Sequence, residues 1–165
     1  MARKKTLAPG DQMPDVTLPG PGGPVRLWDL LGDKVLVVYF YPKDETPGCT
    51  AEACRFRDEY ESFVEAGAEV VGISGDSPSS HEGFRAKHQL PFVLLSDVEG
   101  EARCAFGVRS TFGLLPGRAT FVIDRSGTVR HVFESQLRVH EHVKRAQQLV
   151  RALAEEPGSG APTGA

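Results

Sequence analysis

FYPKDETPGCTAEACRFRD, residues 40–58, carries two cysteines, Cys49 and Cys54, five positions apart and just after Thr46-Pro47-Gly48. The run before it, residues 34–41, is KVLVVYFY, continuous in β-branched and aromatic residues. Such a run suits a strand buried on both faces. The residues after it show a helical apolar pattern from Cys49 to Ala66, stopped by Gly67. A buried strand that runs through a short loop into an amphipathic helix is the unit of a layered α/β fold.

The same alternation continues outward. Strands are predicted over residues 68–74 and 92–96, with a helix over 77–89 between them and a short one over 101–106. Residues 119–124 and 128–133 flank Arg125-Ser126-Gly127 and read as a hairpin. A last helix is predicted over 140–154. Upstream, VTLPGPGGPVRLWDL reads as two short strands around a Pro/Gly turn. The first twelve residues lack periodicity and are expected to be loose. The expected fold is α/β, a central mixed sheet flanked by helices, parallel where helices cross over and antiparallel at the hairpin. One domain is expected over residues 1–155, followed by a disordered Gly/Pro/Ala-rich tail over 156–165.

Bulk composition narrows the function. The chain has 165 residues, 40% hydrophobic and 25% charged, with a formal net charge of -3. That charge gives no reason to expect nucleic acid or an anionic membrane as partner. The basic start, Met1 to Lys5, is not followed by the apolar run of a secretory signal or a membrane span. A cytoplasmic protein is therefore expected. Three cysteines are too few for a disulfide scaffold.

On a helix turning by about 100° per residue, Ala53, Phe56, Tyr60, Phe63 and Val64 fall within about 60° of Cys49. Cys54 falls about 140° away, among Asp58 and Glu61. Cα atoms five apart in a helix are separated by about 8 Å, beyond the roughly 7 Å limit of a disulfide. Bonding the two requires the helix start to unwind, and a metal site, whose ligands must converge, is poorly served. In the first turn of a helix, backbone N–H groups and the dipole favour an anion, and thiolate is the reactive form of cysteine. Thr46 can cap the helix or aim its hydroxyl at the sulfur. Pro47 suits the first helical position, Gly48 lets another group approach, and Pro42 ends the strand and shields the site from water. Position alone leaves a second reading open, since a cysteine on an apolar helix face is as readily a small buried hydrophobe.

The stretch Pro42-Lys43-Asp44-Glu45-Thr46-Pro47-Gly48-Cys49-Thr50-Ala51-Glu52-Ala53-Cys54 resembles the active-site segment of peroxiredoxins, in particular the bacterioferritin comigratory protein, or peroxiredoxin Q, branch. The resemblance extends over residues 7–153. It includes Val70-Val71-Gly72-Ile73-Ser74-Gly75-Asp76-Ser77, Leu90-Pro91-Phe92-Val93-Leu94-Leu95-Ser96-Asp97 and Arg118-Ala119-Thr120-Phe121-Val122-Ile123-Asp124. It implies a thioredoxin-like fold and a thiol-dependent peroxidase acting on hydrogen peroxide and organic hydroperoxides, with antioxidant and redox-homeostatic roles. By matching position, Cys49 is the peroxidatic cysteine, which forms a sulfenic acid. Arg118 stabilises the thiolate and the leaving oxygen. Thr46 aligns the peroxide, Pro42 limits water, Gly48 and Cys49 offer backbone N–H contacts, and Glu52 orients. Cys54 matches the resolving cysteine of the C-x4-C members, which closes an intramolecular Cys49–Cys54 disulfide that thioredoxin or a similar dithiol reduces. The resemblance calls for no cofactor and no metal, and a monomer is expected. The alternatives are a thioredoxin-like disulfide reductase, disfavoured by the missing CxxC, and a peroxide sensor.

Other residues draw plainer expectations. Cys104 is expected to be a buried filler, His81 and His88 to sit on a solvated helix, and His140 and His142 to form no metal pair. The apolar loop 111–117, with Phe112 and Leu114, is expected to wall the site near Arg118 and to affect the choice of hydroperoxide.

Overall fold

The computed structural model describes residues 5–110 and 115–156. The run that decided the sequence reading is β3 (Val35–Phe40), and all six of its residues are buried. It lies at the centre of a five-stranded sheet of order β5-β4-β3-β6-β7. On one side β3 pairs in parallel with β4 (Ala68–Ser74), which pairs in parallel with β5 (Val93–Ser96); on the other it pairs antiparallel with β6 (Ala119–Ile123), which pairs antiparallel with β7 (Val129–Glu134). The sheet is mixed, as expected. The antiparallel pairing of β3 with β6 was not anticipated, because local patterning reveals the hairpin but not which strand it joins. A separate two-stranded ribbon, β1 (Thr17–Gly20) with β2 (Gly23–Arg26), precedes it.

Successive side chains on a strand point to opposite faces, and β3 shows why both faces need cover. Val35, Val37 and Tyr39 join one core with Phe56 and Phe63 of α2 (Pro47–Glu65), Phe84 of α3 (Pro78–His88) and Val143 and Val150 of α5 (Val139–Glu155). Leu36, Val38 and Phe40 join the other core with Leu27 and Leu31 of α1 (Leu27–Leu31) and Phe106 of α4 (Glu101–Phe106). Three layers result, with the N-terminus of α2 emerging beyond the carboxyl end of β3. That is where open α/β sheets place their binding crevices.

Four expectations are corrected. From Leu7 onward the segment expected to be loose is tied down: Leu7 N donates to Phe106 O, Gly10 N to Val129 O and, just beyond it, Met13 N to Gly127 O. These partners lie far along the chain, so no local pattern could reveal them. The helix α1 was not foreseen, since five residues are too short for a periodic signal. On α2, Val64 is 48% exposed, whereas Glu52 is fully buried. Glu156 ion-pairs with Arg130 at 2.8 Å. The rest of the expected tail, 157–165, lies outside the described residues.

Candidate active site

Pro47 opens α2, and the first bond of the helix described beyond the cap runs from Thr50 N to Thr46 O at 2.8 Å. The amides of Gly48 and Cys49 therefore precede any intrahelical acceptor. Cys49 is 1% exposed. Arg118, at the entry to β6, reaches across from the neighbouring strand. Its Nη2 donates to Cys49 Sγ at 3.4 Å, its Nη1 to Glu52 Oε1 at 2.6 Å and its Nε to the Gln136 carbonyl at 3.1 Å. One planar guanidinium is thus held on three sides, which only arginine's fork permits. A Cβ placed on Gly48 would come to 3.2 Å from Arg118 Nη2, so the glycine makes room for the arginine tip.

The arginine has its own supports. Gln136 Nε2 donates to the Pro116 carbonyl at 2.7 Å. Arg103 Nη1 donates to the Gly117 carbonyl at 2.9 Å and its Nη2 to the Tyr41 carbonyl at 3.3 Å, linking the entry of β6 to the end of β3.

Beneath Arg118 lies a buried polar pair. Burial raises the Glu52 pKa to about 7 against the opposing pull of Arg118. Burial also acts to lower the pKa of Arg118, but the Glu52 carboxylate and the Cys49 sulfur outweigh it and the net direction is upward. His142 is fully buried, with its pKa lowered to about 4, chiefly by burial. Its Nε2 faces the Ser135 carbonyl at 2.7 Å and so carries the hydrogen; Nδ1 then accepts from Thr120 Oγ1 at 2.8 Å. Glu52 Oε2 stands 3.8 Å from that Nδ1 and has no hydrogen-bond partner.

The loop between β3 and α2 is pinned by a second network. Asp44 accepts from Tyr41 Oη at 2.6 Å and from Ser80 Oγ at 2.8 Å, and its Oδ2 lies 2.8 Å from His81 Nδ1. His81 Nε2 meets the Leu95 carbonyl at 3.0 Å. The Asp44 backbone donates to Asp76 Oδ2 at 2.8 Å. Asp44, Asp76 and His81 bring one ligand atom each within 4.8 Å of one another. Those atoms already serve this hydrogen-bond network, which accounts for the cluster without an ion.

The sequence candidates fall into place unevenly. Cys49, Gly48 and Arg118 converge. Thr46 is half-buried at the N-cap, but its hydroxyl neither caps the helix nor is seen bonding the sulfur. It donates to the Lys43 carbonyl at 2.9 Å, because the turn over residues 43–46 brings that oxygen nearest. Pro42 is half-buried at the end of β3. Cys49 and Cys54 are unbridged, and Cys54 faces α3 with its Sγ 3.9 Å from His88 Nδ1. Three expectations need correcting. His81 is 4% exposed, since α3 turns that side onto the Asp44 loop. His88 is only partly exposed against α2. Cys104 is exposed, because Ala102 and Phe106 take the inward face of α4. Phe112 and Leu114 lie outside the described residues, and Leu115 beside them is 56% exposed.

Sequence reasoning gave Glu52 an orienting role without its burial or its partner, and missed the parts played by His142, Thr120, Gln136 and the Asp44–His81 pair. A signal for Glu52 was available. Three residues past Cys49 is about 60° around the helix, on the face called apolar.

The comparisons with known proteins agree with this geometry. The AhpC/TSA family model matches residues 9–132. Peroxiredoxin Q, chloroplastic, of Sedum lineare is 53% identical over 133 residues, covering 80% of this chain and 71% of that protein. The same-named protein of Populus jackii is 48% identical over 145 residues, covering 87% and 68%. Among solved structures, peroxidoxin BcpB from Mycobacterium tuberculosis superposes with a TM-score of 0.81 at 40% identity, covering 87% of this chain and 96% of that one. A PrxQ mutant from Xylella fastidiosa reaches a TM-score of 0.83 at 29% identity, covering 92% and 100%. These are thioredoxin-fold peroxiredoxins, which use peroxide substrates and thioredoxin-type reductants. A buried cysteine in a helix's first turn under an arginine fork, on this fold and among these relatives, places the chain in the AhpC/TSA family as a peroxiredoxin, a thiol-dependent peroxidase.

Proposed function

We propose that the chain reduces hydrogen peroxide and organic hydroperoxides at Cys49, with Cys54 resolving the product. The observation that carries the reading is the Arg118 Nη2 to Cys49 Sγ contact of 3.4 Å. The thiolate of Cys49 attacks the distal peroxide oxygen. The O–O bond breaks, Cys49 becomes a sulfenic acid, and the proximal oxygen leaves as water or alcohol after taking a proton. Arg118 stabilises both the thiolate and the charge growing on the leaving oxygen. The Gly48 and Cys49 amides and the Thr46 hydroxyl orient the peroxide once the Thr46 bond to Lys43 is exchanged. Pro42 screens the sulfur from water.

Cys54 then attacks the sulfenic sulfur, closing a Cys49–Cys54 disulfide and releasing water. The helix start must unwind for the two sulfurs to meet. Thioredoxin or a similar dithiol returns the pair to thiols. Fast resolution protects Cys49 from irreversible oxidation. Organic hydroperoxides are included because a Xanthomonas campestris bacterioferritin comigratory protein that is 32% identical to this chain is described for its alkyl peroxide reduction activity.

Residues 1–155 are taken as one catalytic unit that works as a monomer, since both cysteines belong to one chain. A reducing compartment would keep the thiols available. The Sedum lineare and Populus jackii relatives are named chloroplastic, whereas the cytoplasm is the setting the sequence suggested. No described helix is long and apolar enough to cross a membrane. Peptide mapping after one equivalent of peroxide tests the reading. A Cys49–Cys54 bond is expected, and its absence overturns the resolving assignment.

A further inference from the structure

Cys54 does not merely face solvent while it waits for Cys49. The end of α3 is fixed against it. Gln89 takes a left-handed conformation and stops the helix, leaving His88 as its last residue. Arg57, three residues past Cys54, donates Nη1 to the His88 carbonyl at 2.9 Å, so α2 grips the backbone of that residue. The Phe84 ring meets the imidazole edge-on at a centroid distance of 5.0 Å. The imidazole then spans two groups. Its Nδ1 lies 3.9 Å from Cys54 Sγ, and its Nε2 lies 3.3 Å from Glu45 Oε1, close enough for charge attraction but outside hydrogen-bond geometry. The other oxygen of Glu45 binds Lys87 Nζ at 2.9 Å. Glu45 itself holds a positive φ of 64°, an uncommon conformation for a residue with a side chain, kept here by its partners across the gap.

This order of groups has a chemical direction. The Glu45 carboxylate, 3.3 Å from Nε2 without a hydrogen bond to it, favours the hydrogen on that nitrogen through its charge and leaves the Nδ1 lone pair facing the thiol, the order of groups by which a nucleophile, a base and an orienting acid act together. Resting on the assignment of Cys54 as the resolving cysteine, we propose that His88 is the general base of the resolving step, with Glu45 as its positioning residue. His88 Nδ1 takes the proton of the Cys54 thiol. The thiolate attacks the sulfur of the Cys49 sulfenic acid. The S–S bond forms as the S–O bond breaks, and the departing hydroxide takes up the proton carried by His88. Disulfide and one water result, with no other reactant. The charged and titratable groups around the imidazole are Cys54 and Arg57 from α2, Glu45 from the loop before α2, and Lys87 on its own helix.

The test follows disulfide formation by rapid quench and mass spectrometry after one equivalent of hydrogen peroxide, with the Cys49 sulfenic acid trapped separately by a dimedone-type reagent. In His88→Gln, closure of the disulfide is expected to slow by about a hundredfold at pH 7. The deficit should shrink as rising pH ionises thiols without a base. Glu45→Gln, which keeps the imidazole, should slow closure less, with the same pH trend, and serves if His88→Gln does not fold. Closure at the wild-type rate in both variants overturns the proposal, as does a deficit of equal size at every pH, which marks packing alone. If the wild-type chain itself forms no Cys49–Cys54 bond, the resolving assignment falls and this inference with it. A normal wild-type bond with unaffected variants sinks only the role of His88.

Discussion

Arg118 and Glu52 meet 2.6 Å apart, Nη1 to Oε1, where both side chains are almost wholly withdrawn from water. The same guanidinium presents its other terminal nitrogen to Cys49 at 3.4 Å. Glu52 thus aims the fork rather than touching the sulfur. Arg118→Ala is expected to cut the rate of Cys49 oxidation by about a hundredfold to a thousandfold, the usual loss when one preorganised charge donor is removed. Arg118→Lys should recover little, because a single ammonium cannot serve Cys49, Glu52 and the Gln136 carbonyl together. Stopped-flow oxidation at several peroxide concentrations measures both. A first step unchanged in Arg118→Ala would mean that the fork is structural.

Gly48 offers a gentler probe of the same contact. A Cβ there would sit 3.2 Å from Arg118 Nη2, close enough to displace the arginine tip by a few tenths of an ångström. The obstacle is the end of a flexible side chain, so the fold should tolerate it. Gly48→Ala is expected to slow peroxide reduction by about tenfold, in line with the sensitivity of catalysis to small misplacements. The thermal midpoint should hardly move. A large loss of stability with normal turnover would reverse this reading.

Much of this architecture was legible in the sequence because its cues are local. The β3 run is too apolar and too β-branched for anything but a buried strand, and Pro47 and Gly67 bracket α2. Cys49 and Arg118 stood out through the segments that carry them. What stayed hidden was long-range. Nothing near Thr120 announces that His142, twenty-two residues on, will accept its hydroxyl. Nothing near Glu45 announces His88. Glu52 was given an orienting role by the resemblance, but what it orients stayed hidden, since its partner lies sixty-six residues away.

Removing the thiol of Cys54 separates the two half-reactions. Cys54→Ser should consume about one equivalent of peroxide and then stop, because no second sulfur can attack the sulfenic acid. Excess peroxide should drive Cys49 to sulfinic and sulfonic acids, read as successive mass increments on the peptide that contains it. Sustained thioredoxin-dependent turnover in this variant would remove Cys54 from the mechanism. Cys104 is exposed on α4 and is expected to leave turnover unchanged when replaced by Ser.

Glu52 and His142 stand 3.8 Å apart and pull the stability of the fold in opposite directions as pH changes. The Glu52 pKa is raised from 4.5 to about 7. Between those values the folded chain keeps a proton that the unfolded chain has released, so rising pH costs stability. The His142 pKa is lowered from 6.5 to about 4. Across that interval the unfolded chain holds a proton that the folded chain lacks, so rising pH gains stability. The windows overlap from about 4.5 to about 6.5, and there the two contributions largely offset each other. Single substitutions should expose each one. Relative to the wild type, the stability of Glu52→Gln is expected to climb as pH rises from about 4.5 to about 7, by up to about 3 kcal/mol. Relative to the wild type, the stability of His142→Asn is expected to fall from about pH 4 to about pH 6.5, by a similar amount. Urea midpoints measured in parallel across this range, as differences from the wild-type curve, cancel the carboxylates common to all three proteins. Difference curves that stay level with pH would show that neither group crosses its protonation step in the folded chain, and would return Glu52 to a permanently ionised partner of Arg118.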